Sequence, residues 1–197
     1  MAEVCEEYNL PMVICHLSIR YLDEVLGREK VAKKNLQLIA LCCIMIAAKY
    51  REPEVTIPTV DELNECSDFA YSAEKIKEME MVVLKMLKWT LGYPTVQDFV
   101  MYFLKHPMLY SEDRLRSSMK FVTARENTLL LKYIKFFGEL SILDYSMQQY
   151  PPSILAAATI CCSRIAVGLC HEWNDQLEKL TGYNLNKIRS CKEHLFG

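Results

Sequence analysis

The segment Leu36–Glu52, LQLIALCCIMIAAKYRE, constrains the fold more than any other stretch of the chain. From Leu38 to Ala48 it carries no charged or polar side chain, and the run stops on Lys49 beside Tyr50. A helix that is apolar all round has no face to give to water, so it must be buried on every side. The run is also well short of the roughly 20 apolar residues that span a bilayer, which argues against membrane insertion. The first residues, MAEVCEEYNLP, are acidic and lack the basic and apolar regions of a signal peptide. An intracellular protein, nuclear or cytoplasmic, is expected.

Around that helix the chain reads as all-α. Gly (6 residues) and Pro (7) are scarce and fall between periodic segments. Pro11 opens a helix carrying Val13, Leu17, Tyr21 and Val25 at helical spacing, with Gly27 as its expected end. Thr59 and Glu62 form a capping-box pattern, and Ser72 caps a helix with Ile76, Met79, Val83 and Leu87 on one face. LGYPT at Leu91–Thr95 breaks the chain, and Thr95 with Asp98 loosely repeats the capping pattern. Ser111, Pro151–Pro152 and Asn184 are further expected helix starts. About ten helices and almost no strand result.

Two internal matches organise these helices. ALCCIMIAAK (Ala40–Lys49) parallels TICCSRIAVG (Thr159–Gly168), and AYSAEKIKEME (Ala70–Glu80) parallels GYNLNKIRSCK (Gly182–Lys192), in the same order. They imply two similar helical domains, 1–92 and 93–197. The matches also differ: Lys49 stands opposite Gly168, and Glu80 opposite Lys192. A pair required for folding should survive in both copies, so this difference points to a role confined to the first.

The chemistry of an enzyme is missing. His16 and His106 have no Cys or Asp partner at a telling spacing, and there is no Gly-rich phosphate loop. Nine cysteines, an odd number with two adjacent pairs inside apolar segments, fit reduced, buried thiols better than a disulfide framework. Cys170, His171, Cys191 and His194 lack any C-x-x-C pair, so core packing is favoured over a metal site. The net charge of −2 argues against a nucleic-acid binder. No catalytic residue, metal or cofactor is expected.

AAKYREPEV…DFAYSAEKIKEMEMVVLKMLKWTLGYPT resembles the heart of a cyclin box. Its marks are a small-small-lysine-aromatic run, a proline-containing loop, and a helix with methionine-glutamate and a leucine-lysine repeat. It closes on Trp89, Leu91 and Pro94–Thr95. ELSILDYSMQQYPPSILAAAT and WNDQLEKLTGYNLNKIRSCKEHL, with Trp173 and Thr181–Tyr183, resemble the second box of A- and B-type mitotic cyclins. The resemblance covers nearly the whole chain. It implies tandem five-helix cyclin-box domains, the first helix of the first box shortened.

The resemblance further implies a regulatory subunit that forms a heterodimer with a cyclin-dependent protein kinase and activates it in cell-cycle control. Lys49 and Glu80 occupy the positions of the lysine and glutamate that grip the kinase next to its C-helix, with Ile46, Tyr50, Leu84, Trp89 and Leu91 as the surrounding apolar surface. The competing expectation is a cyclin-fold adaptor for a transcription-related partner or peptide. It calls for a basic face on the second box, whereas Thr159–Gly197 has mixed charges. Three departures stand out. Arg51 replaces an acidic residue, and the loop through Pro53–Pro58 is about two residues longer than the family pattern. The sequence also starts late in the first helix, without the family's arginine-leucine docking motif. Leu36 and Gln37 match the remaining part of that substrate-docking groove, a partial site for substrates or inhibitors.

Overall fold

The computed structural model describes residues 1–53 and 56–197; the expected extra length of the Pro53–Pro58 loop falls partly on residues 54 and 55, outside the described residues. The chain divides into two compact units, Met1–Thr95 and Val96–Gly197. The first holds α1 (Ala2–Glu7), α2 (Met12–Arg28), α3 (Leu36–Arg51), α4 (Val60–Glu65) and α5 (Ala73–Met86). The second holds α6 (Val96–Phe103), α7 (Ala124–Leu143), α8 (Pro152–Val167), α9 (Asp175–Thr181) and α10 (Leu185–Phe196). Among the described residues the only extended pairing is two isolated antiparallel bridges, Arg114 with Phe121 and Leu115 with Leu169.

The apolar run dictates the plan of the first unit. Every residue of α3 from Leu38 to Ala48 except the half-buried Ala40 is buried, enclosed mainly by α2 and α5. Truncating one of its large side chains, such as Ile44→Ala, costs about 2–5 kcal/mol. The amphipathic partners present matching faces: Leu17, Tyr21 and Val25 on α2, and Ile76, Val83 and Leu87 around α5, are buried. Capping sets the helix starts. Thr59 and Glu62 form both halves of a capping box, and the Ser72 hydroxyl accepts from the Lys75 amide.

The second unit repeats the plan around α8, whose residues Leu155–Arg164 are all buried and which packs on α7, α10 and α6. The two internal matches therefore fall on equivalent elements, α3 with α8 and α5 with α10, and Ser72 and Asn184 cap α5 and α10 in the same way.

Two expected boundaries are corrected. Helix α2 continues through Gly27 to Arg28, because Arg28 ties the last turn down by pairing with Glu24 and donating to the Met86 carbonyl at 3.1 Å. No helix starts at Ser111. The chain there turns so that Asp113 accepts from the Tyr110 amide at 2.9 Å, and α7 begins only after Thr123, which forms a capping box with Glu126.

Arg164 explains that turn. Fully buried in α8, it forks onto Asp113 at 2.6 and 2.9 Å and donates to the carbonyls of Met108, His171 and Glu172 at 2.6, 3.0 and 3.2 Å. These contacts satisfy the donors of its guanidinium, which is how a buried charge is tolerated. The arginine thus binds two loops of the second unit to its central helix.

Candidate partner-binding site

Lys49 lies in the last turn of α3, where a cation is favoured by the helix dipole. Because α3 packs against α5, its ammonium reaches across to Glu80 and donates to Oε1 at 2.6 Å. The pair is lopsided: the lysine side chain is 46% exposed and the glutamate 14%. Glu80 serves as a fixed base that aims a reachable ammonium outward.

Exposed aromatics lie on the same two helices or at their ends. Tyr50 follows Lys49, and its hydroxyl rests against the α5–α6 connection, where a Cβ on Gly92 would lie 3.2 Å away. The Arg51 guanidinium lies 5.8 Å from the Tyr50 ring centroid, within cation–π range. Trp89 is exposed at the end of α5, and both it and Lys88 hold positive φ, 57° and 52°. Non-glycine residues in that region cost about 1–2 kcal/mol each. Here the turn ends α5 by bonding the Trp89 amide to the Leu84 carbonyl at 3.0 Å, and it leaves the indole outside the core. Leu91 is half-buried, and its carbonyl accepts from the Tyr21 hydroxyl at 2.8 Å, anchoring the connection to α2.

Ile46 and Leu84 are corrected as surface residues. They are only 3% and 8% exposed, because Ile46 belongs to the enclosed run of α3 and Leu84 lies on the side of α5 that faces it. They support the exposed residues from below. Sequence reasoning passed over Gly92, whose missing side chain admits the Tyr50 hydroxyl; its place between Leu91 and Tyr93 was the available signal.

Leu36 and Gln37 sit exposed at the start of α3, and Gln37 Oε1 accepts from the Tyr71 hydroxyl at 3.1 Å. That bond joins α3 to the loop before α5 and orients the glutamine amide.

The contrast between the two copies is sharper than the aligned residues suggest. The second unit does keep an ion pair in this region, with its polarity reversed. Lys192 of α10, opposite Glu80, donates to Glu172 Oε1 at 2.8 Å. Glu172 lies just beyond α8, and its hydrogen bond holds the Lys192 ammonium above the ordinary lysine range. Gly168 cannot be replaced by a lysine without strain, because it ends α8 in the left-handed region at φ 86°. The absence of Lys49 from the second copy therefore has a backbone cause. What distinguishes the first unit is an outward cation rather than the pair as such.

Among the described residues, the other polar groups considered form no comparable site. His194 approaches both Ser146 Oγ and Asp144 Oδ2, but through the same Nε2 atom, at 2.9 and 3.4 Å. Activating a serine needs the hydroxyl and the carboxylate on opposite ring nitrogens. Cys191 is buried in the core, while Cys170 Sγ lies 3.7 Å from Met119 Sδ, so these residues and His194 face different partners. Burial pushes the thiols of Cys42, Cys161 and Cys191 up to about 12. No helix among the described residues is long and apolar enough to cross a membrane.

Comparison with known proteins bears on the family and the fold. The cyclin N-terminal domain pattern matches residues 1–92, and the cyclin C-terminal domain pattern residues 94–197. Cyclin-A1-2 of Arabidopsis thaliana is 34% identical over 99% of this chain, and Cyclin-B2-2 of the same plant 30% over 97%. G2/mitotic-specific cyclin-2 of Medicago sativa is 29% identical over 100% of this chain. The chain covers 41%, 40% and 54% of those relatives, so it spans about half of their length or less. A solved viral cyclin from herpesvirus saimiri superposes with a TM-score of 0.73 over 98% of this chain and 79% of its own; at 22% identity it supports the fold alone. With both domain patterns matched in order on two helical units of the same plan, the chain belongs to the cyclin family.

Proposed function

We propose that the protein is an activating regulatory subunit of a cyclin-dependent protein kinase in cell-cycle control, with two cyclin boxes meeting at residues 92 and 93. The observation that carries this reading is the exposed Lys49 ammonium seated on Glu80 in the first box, with exposed Tyr50 next to it in the chain and exposed Trp89 at the end of α5. Lys49 and Glu80 fix register by donating to and accepting from kinase backbone groups next to the C-helix, and charge-assisted bonds suit that task. Tyr50, Trp89 and the half-buried Leu91 supply the apolar area. Phosphoryl transfer requires the kinase's own lysine–glutamate pair and its activation loop to be in place. A partner that binds only that arrangement shifts the kinase population toward it without doing chemistry. The surface at Leu36 and Gln37 is read as a subsidiary docking contact for substrates or inhibitors.

The test is a binding titration with Lys49→Ala. The lysine end of the pair is exposed and Glu80 stays at the surface edge, so removing the ammonium costs the fold about 1 kcal/mol. Losing one partner of a charge pair buried at an interface costs about 2–5 kcal/mol of binding, more than tenfold in affinity. Undiminished kinase binding by a normally folded Lys49→Ala protein sinks the assignment of this residue.

A further inference from the structure

Helix α7 buries Leu130, Ile134, Phe137 and Ser141 and leaves Leu129, Phe136 and Leu143 exposed on its outer side, with Leu143 75% exposed. The three exposed residues are spaced seven apart, a repeat that keeps them on one stripe of a helix. Phe136 is held in place from below, its ring edge-on to that of Phe137 at 5.2 Å, and Phe137 in turn stacks on Phe196 at 5.8 Å. The stripe is therefore a fixed apolar ridge. Lys132 and Glu139 are exposed along one flank of it.

The order of these residues is self-complementary. We propose that the outer face of α7 is a self-association surface on which a second copy of this chain lays its own α7 antiparallel. A two-fold axis at Phe136 stacks the two phenylalanines and places Leu129 of each copy opposite Leu143 of the other. The same axis brings Lys132 of each copy beside Glu139 of the other, giving two ion pairs by symmetry. In antiparallel helix pairs, residues on the same flank meet across the seam; an in-register parallel pair puts Lys132 and Glu139 of the two copies on opposite sides and forms neither ion pair. Each contact occurs twice, as an isologous interface requires. Glu139 already lies 3.7 Å from Lys135 of its own helix, a loose, exposed pair that leaves it available to a second cation. One helix face is small against the roughly 800 Å² per partner of a standard interface, so the association is weak and reversible. It uses no residue of the Lys49 site and does not depend on the kinase-binding reading.

The experiment is sedimentation velocity of the full chain over about a hundredfold range of concentration. The weight-average coefficient should rise toward that of a dimer. Phe136→Glu should abolish the rise while leaving the thermal melt unchanged. Glu139→Lys should weaken the association several-fold, and Lys132→Glu combined with Glu139→Lys should restore it. A wild-type protein that stays monomeric overturns the proposal, as it does if another molecule is the natural occupant of the ridge. So does a dimer that survives Phe136→Glu, or a charge swap that associates no better than Glu139→Lys alone.

Discussion

Asp113→Ala tests how the second box is held together. The substitution leaves Arg164, fully enclosed in α8, with three carbonyl acceptors and no counter-charge. Removing one member of a buried ion pair costs about 3–5 kcal/mol, because the charge that remains has lost both water and its partner. For a domain of about 100 residues each kcal/mol lowers the melting temperature by about 4–8 °C, so a drop of at least about 12 °C is expected. The chain has two units and need not melt in one step, so the signal must come from the second alone. Its two tryptophans lie one in each unit. In a Trp89→Phe background the fluorescence of Trp173, whose indole donates to the Tyr183 carbonyl at 2.9 Å, reports the second box. A double replacement, Asp113→Leu with Arg164→Met, should recover much of the loss, since it removes both charges at once. If Asp113→Ala melts within about 1 kcal/mol of the parent, the reasoning about an uncompensated buried charge is refuted.

Two further outcomes are expected. The carboxyl of Glu126 is held below its ordinary value by the Thr123 hydroxyl and amide, and that of Glu62 by the amide and hydroxyl of Thr59. A lowered folded value means that these caps stabilise above about pH 4.5 and lose their contribution as pH falls through the folded value, so acid should fray the starts of α4 and α7 first. Carboxyl titration by NMR checks this: Thr123→Ala removes the hydroxyl and keeps the amide, so it should raise Glu126 part of the way toward the ordinary glutamate range, and an unchanged value contradicts it. Thiol labelling at neutral pH should reach the half-exposed Cys66 and Cys170 first and leave Cys42, Cys161 and Cys191 unreacted until the protein unfolds. Mass spectrometry of a timed labelling series would reveal the opposite order.

The helices that read most clearly from sequence are those whose local and global signals agree. The enclosure of α3 followed from its lack of polar side chains, and the starts of α4, α5 and α10 from Thr59, Ser72 and Asn184, because a cap depends only on neighbouring backbone. Ser111 carried the same kind of signal and starts no helix. The contact that decides its segment, Asp113 with Arg164, spans 51 positions of the chain and is invisible to local rules. A lone arginine inside the apolar run TICCSRIAVG was the sign that a buried charge needed a partner. For the candidate site, the positions of Lys49 and Glu80 were legible and the direction of each neighbouring side chain was not. Ile46 and Leu84 turn inward because α3 and α5 face each other, a consequence of packing. The comparison of Lys49 with Gly168 pointed to a real difference for an incomplete reason, since the second copy keeps an ion pair with lysine and glutamate exchanged.

The central claim is that this chain switches on a kinase through the first box. The direct measurement adds the purified protein to inactive cyclin-dependent kinases and follows phosphorylation of histone. The protein should raise the rate with at least one kinase, and Lys49→Ala at the same concentration should raise it far less while melting at nearly the same temperature. A wild-type protein that binds such a kinase without raising its rate, or one that activates equally well without Lys49, contradicts it.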